Sequence, residues 1–167
     1  MKNRIKNFEN KVIARKRKLK YFLTRLANNP PIPTQEITAM TSLLNKEVWK
    51  EVDCMKCAKC CKTMTPTYSV QEIKKIALHF KMTEVEFKKK WLYKDRSKDW
   101  KNKSTPCQFL DKNKLCSIYT IRPKDCKQFP YHYKKDTLEY IETFRQNLEY
   151  CPATFLLVEK LKEKIHS

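Results

Sequence analysis

Residues 54–61 read CMKCAKCC, and further cysteines follow at positions 107, 116, 126 and 151. Eight thiols in 167 residues constrain this chain more than any other feature, because each must be bridged, metal-bound, redox-active or sealed in a core. A domain of this length buries roughly 70% of the surface its unfolded chain exposes, so crosslinks are not needed to compensate for a small core. The cysteines therefore need another reason. The basic start, MKNRIKNFENKVIARKRKLK, lacks the apolar run and cleavage site of a signal peptide, and no stretch approaches the about 18 apolar residues of a membrane span. A reducing cytoplasm is the expected setting, where thiols stay unpaired unless a metal takes them.

Two cysteines separated by two residues can turn both sulfurs toward one ion, since a tight knuckle brings them within the roughly 2.3 Å radius of a zinc–sulfur shell. Cys54, Cys57 and Cys60 repeat that step. The same step also serves the ferredoxin-type run around an iron–sulfur cluster, so zinc and iron–sulfur both stay open on spacing. Even spacing plus a distal thiolate leans toward a cluster such as 4Fe-4S, because zinc knuckles come as separated pairs. Adjacent residues point in different directions, so Cys60 and Cys61 are expected to serve different places. Cys107, Cys116, Cys126 and Cys151 can supply the remaining ligands, and eight thiolates make two four-ligand sites. Disulfides and inert buried thiols are the competing fates, the latter chiefly for Cys151.

The downstream stretch continues the pattern with Pro106-Cys107-Gln108-Phe109-Leu110, Cys116-Ser117-Ile118-Tyr119, Arg122-Pro123, Cys126 and Phe129-Pro130. Together with C-x-x-C-x-x-C-C at 54–61, these blocks resemble the YkgJ-like cysteine-cluster family of zinc- or iron-chelating domains, related to flagellin lysine N-methylase. The likeness spans residues 54–152 and leaves out the chain before residue 34. It implies metal or iron–sulfur binding by the matched cysteines, and its relationship raises a lysine-methylating or redox enzyme as an alternative. Members often carry glycine near the double cysteine and at the later turn, where this chain has Ala58-Lys59 and Asn113-Lys114.

Lys and Arg number 37 against 18 Asp and Glu, a net charge of +19. Residues 1–28 hold ten of the cations and one acid, Glu9. Ile5, Phe8, Val12, Leu19, Phe22 and Leu26 form an apolar stripe there, interrupted by Arg15, which predicts an amphipathic helix with a basic back. Such a helix can face nucleic acid, an anionic surface or a protein partner, or pack on its own domain with its cations solvated. A module stapled by zinc that binds polyanions through this arm is a further alternative.

Pro30, Pro31 and Pro33 divide the chain into a basic arm and linker, 1–33, and a cysteine-cluster domain, 34–167. Thr34 is expected to cap a helix with Ile37, Met40, Leu44, Val48 and Trp49 on one face. Ser69 with Glu72 and Thr83 with Glu86 match the capping box, marking helices near 70–80 and 84–93, the first burying Val70, Ile73, Ala77 and Phe80. Residues 94–103 read as a loop with Trp100 plugging the core. Residues 107–116 read as a hairpin with Asn113 in the left-handed position, 128–145 as weakly strand-like, and Pro152 as the start of a last helix carrying Leu157, Leu161 and Ile165.

The fold expected is α+β and mainly helical: a small cysteine-cluster metal-binding domain with a short β-hairpin and a basic N-terminal amphipathic helix. His79 is expected at the surface, His132 is a candidate metal ligand or donor, and Arg122 a donor to thiolates or a structural turn residue. With no glycine anywhere, a glycine-rich phosphate loop or dinucleotide fingerprint is excluded, and no H-E-x-x-H or nucleophile elbow occurs.

Overall fold

The computed structural model of the chain describes residues 7–133 and 136–167. In chain order the elements are helices α1 (Phe8–Asn28), α2 (Thr34–Glu51), α3 (Cys54–Cys57) and α4 (Lys59–Thr63), strand β1 (Thr67–Tyr68), helices α5 (Val70–His79) and α6 (Glu84–Trp91), and strands β2 (Leu92–Lys94) and β3 (Trp100–Asn102). Helices α7 (Lys124–Gln128), α8 (Ile141–Asn147) and α9 (Pro152–His166) complete the chain. This is a mainly helical α+β architecture. Two compact units are present, one of residues 1–53 with 130–167 and one of residues 54–129. No helix among the described residues is long and apolar enough to cross a membrane.

In the first unit α9 packs on α1 and α2, and α1 also lies on α8. The stripe read from the sequence makes these contacts: α1 buries Phe8, Val12, Leu19, Phe22, Leu23 and Leu26, while Ile5 lies outside the described residues. Arg15, the interruption, sits at the margin and donates to Glu159 at 2.5 Å. Lys16 and Lys20 reach Glu149 at 3.2 and 2.7 Å. Thr34 is the first helical residue of α2 rather than its cap, a place taken by Pro33.

The inner face of α2 differs from the expected one. Ile37, Thr41, Asn45 and Val48 are fully buried, so two polar residues join the inner face, while Met40, Leu44 and Trp49 are half-buried at its edge. Thr41 satisfies itself on the Ile37 carbonyl at 2.7 Å. Asn45 Oδ1 lies 2.9 Å from Nδ1 of His132, whose Nε2 is 2.9 Å from Thr154 Oγ1 on α9. Because Oδ1 can only accept, Nδ1 carries the hydrogen and Nε2 accepts from the Thr154 hydroxyl. Both ring nitrogens of His132 are thus engaged inside the unit, and its role is structural rather than that of a metal ligand.

Residues 128–145 are not strand-like: their described part contains a 3-10 turn, Leu138–Tyr140, and most of α8. The period decides this, since Ile141, Phe144 and Leu148 recur at three and four residues and all are buried.

The second unit opens with two correctly read capping boxes, Ser69 with Glu72 on α5 and Thr83 with Glu86 on α6, each with both reciprocal hydrogen bonds. Its core joins Tyr68, Ile73, Ile76, Ala77, Phe87, Leu92, Phe109 and Ile118. Ile76 takes the place expected for Val70, which is 59% exposed. His79 is exposed, as its position on the helix requires.

The sheet has strand order β1-β3-β2, antiparallel throughout, with Tyr68 opposite Trp100 and Leu92 opposite Asn102. Its hairpin, β2–β3, occupies much of the 94–103 stretch read as a loop. The polar sequence hides it because Lys101 is held by Asp95 at 2.6 Å and Asn102 is buried by tertiary hydrogen bonds. Conversely, residues 107–116 form no regular strands, only a bridge between Leu110 and Cys116. Asp111 Oδ1 shapes that turn by accepting from the N–H groups of Asn113 and Leu115, both at 2.8 Å. The left-handed residue is Lys114, φ 66°, not Asn113.

The His132 network makes an acid-sensitivity prediction. Burial holds the imidazole well below its ordinary value of 6.5, to about 3. Between these values the unfolded chain binds a proton that the folded chain refuses, so His132 costs nothing above pH 6.5 and destabilises progressively as pH falls toward 3. The expected loss at the acid end is several kcal/mol, accumulating at about 1.4 kcal/mol for each pH step across that window. Urea unfolding at pH 7 and pH 4.5 should show it, and His132→Gln should flatten that pH dependence.

Candidate metal centre

The signature CMKCAKCC folds as two short helices meeting at a sharp joint. Cys54 to Cys57 make one turn, Ala58 adopts a left-handed conformation (φ 48°, ψ 19°), and α4 restarts at Lys59. A left-handed non-glycine residue costs roughly 1–2 kcal/mol, which gives the resemblance's missing glycine a structural place. The joint separates Cys54 and Cys57 from Cys60 and Cys61. The last two do not diverge as expected: their sulfurs lie 3.9 Å apart at the start of α4.

Two more segments approach Cys61. Its carbonyl accepts the Cys107 N–H at 2.7 Å, docking the 107–118 loop onto α4. Phe109 drives the same loop into the core, stacked on Phe80 at 5.6 Å and on Phe87 at 6.2 Å, with Trp91 edge-on at 5.5 Å. Cys126 arrives on α7, a helix tied to β1 by the Thr67 N–H on Asp125 at 2.9 Å and to α5 by the Lys124 N–H on Glu72 at 2.5 Å.

Electrostatic interaction links four of the sulfurs. Burial pushes the Cys126 thiol far up, and Cys107, Cys61, Asp125 and Cys116 add to the effect. Burial also raises Cys107, which feels Cys61 and Cys116, and Cys116, which feels Cys61. Every pair among Cys61, Cys107, Cys116 and Cys126 therefore interacts. Cys61 alone is held low, to about 7, first by its contact with Cys60 and further by Arg122.

Donors aim at this group. The Phe109 N–H bonds to the Cys107 sulfur and the Ile118 N–H to the Cys116 sulfur, each two residues beyond its cysteine. Such bonds stabilise thiolates and orient sulfur ligands. Arg122 takes the structural role, donating to the Tyr119 carbonyl at 2.6 Å and lying 3.7 Å over the Tyr119 ring, while its charge acts on Cys61 and Cys116.

Of the expected ligands, Cys61, Cys107, Cys116 and Cys126 feel one another electrostatically, and Cys60 lies against Cys61. Cys54 is exposed and Cys57 half-buried, one turn before the joint. Cys151 is buried in the first unit, where it caps α9. As they stand, no three His, Cys, Asp or Glu side chains among the described residues are close enough to share an ion. Sequence reading missed Asn102, Tyr68 and Gln108, which adjoin the sulfurs; Asn102 lies in the run WKNK, with nothing to mark it as buried.

The family model CxxCxxCC, described as a "Putative zinc- or iron-chelating domain", matches residues 53–152. The chain belongs to this family. An uncharacterized protein of Methanocaldococcus jannaschii is 32% identical over 118 residues, which cover 66% of this chain and 62% of the relative's length. No solved structure matches. The cysteines gathered in space all fall within the matched CxxCxxCC region, the fourth member of C-x-x-C-x-x-C-C joining three from the later blocks.

Two substitutions test how the CxxCxxCC domain holds its loop. Phe109→Ala should cost about 3–5 kcal/mol in urea unfolding, because it empties the aromatic stack. Lys114→Gly should stabilise by up to about 1 kcal/mol, since it relieves an exposed left-handed residue with no packing lost.

Proposed function

We propose that this protein chelates zinc or iron through the thiolates of Cys61, Cys107, Cys116 and Cys126. The observation that carries the reading is the mutual interaction of all four sulfurs, with backbone N–H groups directed at two of them. Four soft sulfur donors select zinc or iron–sulfur over magnesium or calcium, which prefer oxygen. The residues fit such a group: they are four half-buried soft donors, two of them receiving backbone N–H groups, with a guanidinium nearby, and a bound cation would offset the burial that otherwise keeps Cys107, Cys116 and Cys126 as thiols. A bound zinc ion would crosslink remote segments, and an iron–sulfur cluster would in addition exchange electrons.

In this reading α4, the 107–118 loop and α7 bring the sulfurs together, and Arg122 offsets part of their charge. The hydrophobic cluster around Phe109 keeps water from one side of the group. Cys60, beside Cys61, is the remaining sulfur at hand.

Protein purified without oxygen should contain zinc or iron, and visible absorption that dithionite bleaches would identify an iron–sulfur cluster. Serine at Cys61, Cys107, Cys116 or Cys126 should weaken metal retention more than about 100-fold, and chelation should lower the unfolding temperature of the native chain. Metal-free protein from anaerobic preparation, or unchanged metal content in all four variants, would refute the assignment.

A further inference from the structure

Asn102 is 1% exposed, yet it lies in one of the most polar stretches of the chain. Its Oδ1 accepts two hydrogen bonds, from the Tyr68 hydroxyl at 2.6 Å and from Gln108 Nε2 at 2.9 Å. Tyr68 is itself buried, and burial first, then the neighbouring Cys107, Cys126 and Cys116, keep its phenol protonated and therefore a donor. Two donors on one oxygen settle which way the amide faces. The Nδ2 end is then buried with no partner that meets full hydrogen-bonding geometry, and the one group its side chain acts on as a donor is the Cys107 thiol, which it lowers.

An orphaned amide donor in a core is costly, and natural structures keep one where something accepts from it. The group on which it bears is the Cys107 sulfur, next in sequence to the Gln108 that clamps its other end. Cys107 already receives the Phe109 N–H on one side. We infer that Asn102 is a positioning residue of the metal centre, clamped by Tyr68 and Gln108 so that its side-chain N–H donates to the Cys107 thiolate when metal is bound. The inference rests on the chelation reading and adds to it a residue that binds no metal itself. A thiolate bonded to such a donor is a weaker electron donor, so Asn102 would tune the centre as well as orient it.

The test uses Co2+ as a spectroscopic stand-in for the native metal in the full chain. Wild-type protein should give a thiolate-to-cobalt charge-transfer band. Asn102→Asp, which keeps the shape but replaces the donor by an acceptor, should weaken Co2+ binding about 10–100-fold and move that band to lower energy. Tyr68→Phe, which only loosens the clamp, should shift the band the same way by less, and it decides the matter should the aspartate variant fail to fold. Binding by wild type with an unmoved band in the variants would overturn the role of Asn102 and leave chelation standing. Absence of binding to Co2+, zinc and iron in wild type would overturn both.

Discussion

The half-buried thiols of Cys61, Cys107, Cys116 and Cys126 all feel one another, and as thiolates they would repel. Burial adds to the conflict by disfavouring each charged form. The structure answers only in part. Cys107 and Cys116 receive backbone N–H groups, Arg122 brings one positive charge, and Cys126 is left with burial and its neighbours alone. Cations close to the sulfurs would remove what remains of the repulsion. The surrounding scaffold keeps these mutually repelling groups in one neighbourhood.

That scaffold is aromatic on one side and polar on the other. Phe109, between Cys107 and Cys116 in sequence, stacks among Phe80, Phe87 and Trp91, so the loop bearing two of the sulfurs is anchored by a side chain that cannot move without opening the core. The polar side is Asn102 with Tyr68 and Gln108. The first unit uses the same economy in its own core, where Asn45, His132 and Thr154 satisfy one another among Trp49 and Phe144. In each case a buried amide is fixed by partners distant in the chain, and such networks specify a single arrangement more sharply than apolar contacts do.

Much of this was legible in the residues. The capping boxes at Ser69 and Thr83 marked α5 and α6 because their chemistry is complete within four residues. The stripe on α1 was legible because its period repeats over about five turns, and the start of α9 because Pro152 suits the first turn of a helix. Where the reading failed, the deciding partner lay far away. Trp100–Asn102 looks like loop until Tyr68 and Leu92 pair with it. Thr41 and Asn45 look like solvent positions until His132 reaches Asn45. The turn after Cys107 seemed to need Asn113 in the left-handed position, yet Asp111 binds the following amides and shifts that strain to Lys114.

The cysteine spacing alone announced a soft, sulfur-rich centre, since ligand type follows from side-chain chemistry and needs no coordinates. It could not announce that Cys61, rather than the evenly spaced Cys54, Cys57 and Cys60, leads the group that gathers with Cys107, Cys116 and Cys126. That grouping depends on a left-handed joint at Ala58, on one backbone hydrogen bond from Cys107 to Cys61, and on the seating of Phe109. The last two are contacts between segments far apart in the chain, and a linear order of residues does not encode which distant pairs can be closed at once without strain or an unpaired buried group.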